Sequence, residues 1–217
     1  MDSEKKAISE IAAAIAHEVK NPIALVSANI DLMELKDKNK VYENNYIMMR
    51  RELLKINELM MDFINLTEPF AEEGETVYLY PILAEFSEIY TAASNERIKI
   101  NLLIKNKAVK VNGKEKSLRI LFSNIIKNAV EAIEGTGFVN IELKEDRNFI
   151  VLEFKDSGKG ICEKVKSKIG EKHFTTKKYG SGLGILICRK IAEEHRGDFT
   201  LCNWEGGCSA VVRLPKP

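Results

Sequence analysis

Between Tyr42 and Phe63 the apolar residues Tyr42, Tyr46, Met49, Leu53, Ile56, Met60 and Phe63 follow alternating steps of four and three, an unbroken heptad seam that predicts a long amphipathic helix. A similar seam opens upstream with Ile8, Ile11 and Ile15 and continues through Val19, Ile23, Val26, Ile30 and Met33. Two successive steps of four meet near Pro22, where a local bend or stutter is expected. From Ser3 to about Leu66 there is one proline and no glycine, so the charged and amide residues of Lys36 to Lys40 supply the only evident turn. The reading is a helical hairpin. Two helices alone bury a core poorly, and the expected solution is a homodimer in which two hairpins form a four-helix bundle.

The pattern changes after Leu66 to Gly74, which carries Pro69, Gly74 and three glutamates and reads as a linker. Residues 1–70 are therefore expected to form one domain and 71–217 a second. In the second, TVYLY (76–80) reads as a strand, Pro81 to about Ser94 as a helix, and IKINLLI (98–104) as a strand. Lys114 to Ile133 has helical periodicity, while FVNIELK (138–144) and FIVLEFK (149–155) alternate. Leu183 to His195 reads as a helix, followed by strands near Phe199 to Cys202 and Ala210 to Leu214. The fold class is α+β: an antiparallel helical hairpin followed by a mixed α/β domain.

Composition narrows the function classes. At 217 residues, one domain with a smaller companion is the natural size. Lys plus Arg is 33 against 32 for Asp plus Glu, and the net charge of +1 lacks the basic excess of a general nucleic-acid or membrane-surface binder. The lysines at 166, 168, 172, 177 and 178, with Glu171 among them and no interleaved aromatic platform, read as a phosphate-facing or solvated loop. No apolar run approaches the roughly 18 residues of a membrane span, and the charged start MDSEKKAISE has no signal-peptide core behind it, so the chain is expected to be cytoplasmic. Any membrane anchor of a longer protein would lie outside it. Cys162, Cys188, Cys202 and Cys208 match neither CxxC zinc spacing nor a dense disulfide framework and read as reduced, mostly structural thiols. Trp204, beside the last turn, reads as a packing residue.

Three segments look chemical. Six of the 13 glycines fall within Gly158 to Gly184. This stretch opens with Asp156-Ser157-Gly158-Lys159-Gly160 after an apolar strand and closes with Gly180-Ser181-Gly182-Leu183-Gly184 at a helix start. Glycines let backbone N–H groups approach phosphates, and a helix N-terminus favours anions. Neither the Walker pattern nor GxGxxG is present. In an otherwise apolar helix, Asn124 and Asn128 stand four apart and share a face, where one amide can donate an oxygen to Mg²⁺ and the other can organise water or phosphate. Finally, His17 lies two residues from both Ile15 and Val19, about 200° around the helix from each, and so points away from the seam. An exposed histidine beside Glu18 can serve as a nucleophile, and Asn21 shares its face.

In their order, His-Glu-x-x-Asn-Pro, Asn-x-x-x-Asn, Asp-x-Gly-x-Gly and Gly-x-Gly-x-Gly, these segments resemble the transmitter core of two-component sensor histidine kinases from about Ser3 to Leu214. The segments HEVKNP and FINLTEP look most like the nitrogen-regulator and sporulation-kinase branch. The resemblance implies a dimerisation and phosphoacceptor hairpin followed by a two-layer α/β sandwich of the histidine kinase, gyrase and MutL type. His17 would be the phosphoacceptor, Glu18 its acidic neighbour, and Asn21 the residue aligning water for dephosphorylation of a response regulator. Asn128 would ligate Mg²⁺, with Asn124 lining the site, and Asp156 would accept from the adenine amine of ATP above Gly158 and Gly160. His173 to Lys177 looks like the lid box, with Phe174 as latch and Thr176 and Lys177 near the phosphates; Gly180, Ser181, Gly182, Leu183 and Gly184 would cradle them. Many members carry a basic residue three positions after the Mg²⁺ asparagine; here that position is Glu131, and Lys127 or Lys177 would neutralise phosphate instead. Implied partners are a second copy of the chain and a response regulator receiver domain. The competing readings are a related ATPase clamp, a serine-kinase anti-sigma factor and a non-catalytic dimeric scaffold.

Overall fold

The computed structural model describes residues 2–67, 75–162 and 183–217, with the side chains of residues 2–11, 13, 14, 17 and 66 outside that description. They form two compact units, the first from the two N-terminal helices together with Leu183 and the second from the other described residues.

In the first unit α1 (Asp2–Lys36) runs through Pro22 as one helix, and α2 (Glu43–Thr67) returns alongside it. The turn between them is fixed by Asp37, whose carboxylate accepts the backbone N–H groups of Val41 at 3.1 Å and Tyr42 at 2.7 Å, with Lys40 in the left-handed region. Across the hairpin, Arg50 on α2 reaches Asp31 and Glu34 on α1, each at 2.6 Å. The seam buries Ile23, Ile30 and Tyr46, and Ala12 and Ala16 are buried on α1 as well. Ile15, Val26, Met33, Ile56 and Phe63 belong to the same seams and remain exposed.

The second unit is a two-layer sandwich. Its main sheet has the order β2 (Ile98–Leu103), β4 (Gly137–Glu145), β5 (Phe149–Asp156), β7 (Gly207–Pro215), β6 (Asp198–Trp204), parallel only between β2 and β4. Parallel neighbours need a crossover, and α4 (Glu115–Ala132) lies in it. A separate two-stranded ribbon pairs β1 (Glu75–Tyr78) with β3 (Lys110–Gly113). Burial along β5 alternates residue by residue, so Ile150, Leu152, Phe154 and Asp156 face inward. Against this face of the sheet pack α3 (Leu79–Ala93) on β2, α4 on β4 and β5, and α5 (Gly184–Glu194) on β6 and β7, with buried residues that recur at helical spacing: Leu118, Leu121, Phe122, Ile125, Ile126 and Ala129 on α4, Ile187, Cys188, Ile191 and Ala192 on α5. The rings of Phe122 and Phe154 sit 6.0 Å apart at the centre.

α5 closes with a Schellman turn in which Arg196 adopts φ +57° and the Gly197 N–H returns to the Ala192 carbonyl at 2.8 Å. One sequence boundary shifts and one strand is new. The strand expected at 76–80 stops at Tyr78, because Leu79, Ile82 and Leu83 are buried at the spacing of a helix that begins at once. β3 had no counterpart in the sequence reading; its four residues pair with β1 and bury Val111. Among the described residues no helix is long and apolar enough to cross a membrane.

Candidate functional site

The amphipathic α4 sets the site. Its apolar stripe faces the sheet, which leaves Asn124 and Asn128 half-buried along the flank that meets α5, while Lys127, also half-buried, lines a groove with Tyr90 and Arg97 on the α3 side. Asn124, Asn128 and Ala132 are successive steps of four, hence a row spaced by about 6 Å per step. At one end of the row stands Gly184, the first residue of α5. A Cβ placed on Gly184 would lie 3.6 Å from Asn124 Oδ1 and 3.8 Å from Asn128 Nδ2, so both amides meet the start of α5. Leu183, just before it, is buried. The N–H groups of a first helical turn carry partial positive charge, and here they are joined by two amides able to offer oxygen or N–H.

At the other end of the row is the β5 exit. Gly158 packs so closely on α4 that a Cβ would come within 2.7 Å of the Ala132 carbonyl oxygen, and the next N–H, of Lys159, donates to that carbonyl at 3.2 Å. Only glycine fits here, because the obstacle is backbone. Asp156, 4% exposed, accepts on Oδ1 from the N–H groups of Gly158 at 2.8 Å and Cys208 at 3.3 Å. Burial pushes its carboxyl above the ordinary range, and the two N–H groups oppose that rise. Both described hydrogen bonds to the carboxylate fall on Oδ1, which leaves Oδ2 for a ligand.

Sequence reasoning missed what anchors this loop. Asn203 on β6 accepts from the Ile161 N–H and donates to the Ile161 carbonyl, both at 2.7 Å, imitating a strand partner with its side chain. Gly160, at φ +66°, turns the chain into that clamp. The Trp204 indole donates to the Asp156 carbonyl at 3.0 Å, so the tryptophan is a structural residue, as its position suggested. Burial, reinforced by Asp156 and Cys202, pushes the Cys208 thiol up to about 12, which keeps it protonated and inert. The sequence marks none of these as partners, because each contact joins strands that are distant in the chain.

Several expected residues stand elsewhere. Glu18 and Asn21 are exposed on α1, in the first unit, and the side chain of His17 lies outside the described residues. Phe174, Thr176, Lys177, Gly180, Ser181 and Gly182 also lie outside the described residues. Glu131 is exposed, one residue before the end of α4. Among the described residues no cluster of His, Cys, Asp and Glu could hold a metal unaided. The donors that remain are the amide oxygens of Asn124 and Asn128, which suit a hard cation that takes most of its ligands from phosphate and water.

Residues 113–217 match the family described as histidine kinase-, DNA gyrase B-, and HSP90-like ATPase. The whole chain is 34% identical over 220 residues to sporulation kinase A and 31% identical over 222 residues to sporulation kinase C, both of Bacillus subtilis (strain 168). The chain belongs to the sensor histidine kinases. It is their transmitter core, with an ATP-binding domain, and it spans 36% of sporulation kinase A and 50% of sporulation kinase C. The nucleotide-free catalytic domain of histidine kinase ThkA is 28% identical, with a TM-score of 0.62 covering 66% of this chain and 96% of that one. Histidine kinase ThkA in complex with response regulator protein TrrA shares the fold over 100% of this chain and 64% of that one, with a TM-score of 0.69 at 23% identity. In this transmitter core the row from Gly184 to Gly158 lies wholly within the ATPase-family segment.

Proposed function

We propose that the transmitter core binds ATP along the row from Gly184 to Asp156 and transfers its γ-phosphoryl group to an imidazole nitrogen of His17. A response regulator receiver aspartate then takes the group from the histidine. The observation that carries this reading is the convergence of Asn124, Asn128, Gly184 and the Asp156–Gly158 turn on one flank of α4, in a chain whose separate helical hairpin carries His-Glu-x-x-Asn-Pro.

Asp156 Oδ2 accepts from the adenine amine, and the closeness of Gly158 to α4 leaves a flat floor for the ring. Asn124, Asn128 and the N-terminal amides of α5 hold the phosphates, and Lys127 supplies positive charge to them. Bound Mg²⁺, ligated by Asn128, supplies charge neutralisation on the phosphates. Glu18 holds His17 with one ring nitrogen unprotonated toward the incoming phosphorus. The new P–N bond forms as the bond to the β-phosphate bridging oxygen breaks, and ADP leaves. Such transfers draw their rate mainly from positioning and electrostatics. Phe174, Thr176, Lys177, Gly180, Ser181 and Gly182 complete the phosphate cradle, and Asn21 orients water when the regulator is dephosphorylated. The exposed seam residues Ile15, Val26, Met33, Ile56 and Phe63 are the face a second hairpin covers, making a homodimer in the cytoplasm.

The test is incubation of the chain with γ-labelled ATP and Mg²⁺, comparing wild type with His17→Gln. Acid-labile, alkali-stable label in the wild type and none in the variant is expected. Label absent from both, with ATP still bound, would overturn histidine phosphorylation in favour of an ATPase clamp or a scaffold.

A further inference from the structure

His195 is the C-cap of α5, 6% exposed, and takes no part in the chemistry proposed above. Among the described residues two hydrogen bonds fix its ring. The Lys114 backbone N–H reaches Nε2 at 3.3 Å, and Nδ1 lies 2.7 Å from the Ile191 carbonyl. A backbone N–H can only donate, so Nε2 is unprotonated; a carbonyl can only accept, so Nδ1 carries the proton. The ring is therefore one fixed neutral tautomer. Lys114 is the N-cap of α4, and its own side chain makes no capping bond there. Gly113 gives the ring its place, since a Cβ at that position would stand 2.3 Å from both Cδ2 and Nε2.

The end of α5 is thus fastened to the start of α4. Midway along the pair, Cys188 on α5 directs its thiol to the Leu121 carbonyl on α4 at 3.9 Å. At the far end Gly184 meets Asn124 and Asn128. Three contacts in this order make α4 and α5 an antiparallel pair whose free sliding coordinate ends in the candidate nucleotide site. A contact that fixes that coordinate at one end fixes the amide-to-glycine spacing at the other, because helices transmit axial displacement nearly rigidly.

We infer that His195 is a positioning residue for nucleotide binding: its Nε2, accepting from the Lys114 N–H, sets the axial register of α5 on α4 and so holds Gly184 opposite Asn124 and Asn128. This rests on the reading of that row as the ATP site.

The test compares wild type with His195→Leu, which keeps bulk and removes the acceptor, and His195→Gln, which offers an acceptor at about the same reach. ATP affinity is measured by calorimetry well below the unfolding midpoint of each protein, and amide hydrogen exchange is followed without nucleotide. The expected result for His195→Leu is a Kd raised about tenfold, the scale of losing one buried acceptor. Exchange over residues 183–187 should quicken similarly, with the β4–β5 ladder unchanged, and His195→Gln should return both close to wild type. If His195→Leu does not fold, His195→Asn, too short to reach Lys114, takes its place. A lowered unfolding midpoint with Kd and exchange at 183–187 unchanged overturns the proposal and leaves His195 a packing residue. If wild type itself binds no ATP, the nucleotide reading falls, and exchange alone decides: quickened exchange at 183–187 keeps the register role, unchanged exchange removes it.

Discussion

Asp156→Asn separates recognition from folding. The asparagine Oδ1 can keep the hydrogen bonds from Gly158 and Cys208, now 2.8 and 3.3 Å long, and a neutral amide avoids the burial that already raises the carboxyl's pKa. The fold should therefore survive with a stability change of no more than about 1 kcal/mol. The ligand side is different. With Oδ1 committed, the position of Oδ2 becomes an NH₂ group, so a donor confronts the adenine amine, which is also a donor. A hydrogen bond to a charged acceptor is worth about 1.5–3 kcal/mol, and its loss here predicts an ATP Kd raised about 10- to 100-fold. Calorimetric titration of both proteins with ATP at fixed Mg²⁺, alongside thermal unfolding, reads the two effects independently. An Asp156→Asn protein that unfolds as wild type does and binds ATP within about twofold of it would refute the assignment of Asp156 to the base.

Gly158→Ala should lower stability by about 1–3 kcal/mol, since its Cβ would meet the Ala132 carbonyl oxygen at 2.7 Å and neither backbone can yield easily; chemical denaturation measures it. Gly184→Ala should leave stability nearly unchanged, since the nearest described atom, Asn124 Oδ1, is 3.6 Å from the new methyl, while that methyl intrudes between the asparagines and the phosphates and weakens ATP binding, read by thermal unfolding and calorimetry together. Burial holds the His195 imidazole below its ordinary value of 6.5, against the opposing hydrogen bond to Ile191. Above that value the ring is neutral folded or unfolded; below it only the unfolded chain takes up the proton, so stability falls as pH drops through 6.5, and His195→Gln should flatten that part of a denaturation–pH profile. Arg196→Gly should add about 0.5–1 kcal/mol by relieving the left-handed conformation at φ +57°, measured as a higher unfolding midpoint.

What could be read from the sequence depended on periodicity. α4 and β5 were visible because their burial repeats at 3.6 and 2 residues, and the heptad seams located the hairpin for the same reason. Along the first seam the large residues Ile15, Val26 and Met33 are exposed in the single chain, while Ala12 and Ala16, positions that a search for bulk passes over, are buried. Asn124, Asn128 and Asp156 stood out as polar residues within apolar runs. Asn203, Trp204 and His195 could not, since what each does is decided by a backbone group far along the chain, at Ile161, Asp156 and Lys114 respectively. β3 was too short for any period to register.

The row of positions 124, 128 and 132 carries a constraint on how this sequence can change over time. Residue identities along α4 can drift wherever the apolar stripe keeps its volume. Its length cannot. Deleting one residue between Asn124 and Ala132 would turn everything on one side of the gap by about 100° and shift it by about 1.5 Å, so the amides and the Gly158 seat could no longer share a flank. Insertions and deletions between these positions should be absent from functional descendants of this sequence, while the loop at Asp146–Asn148 between β4 and β5, far from the row in register, is free to change length.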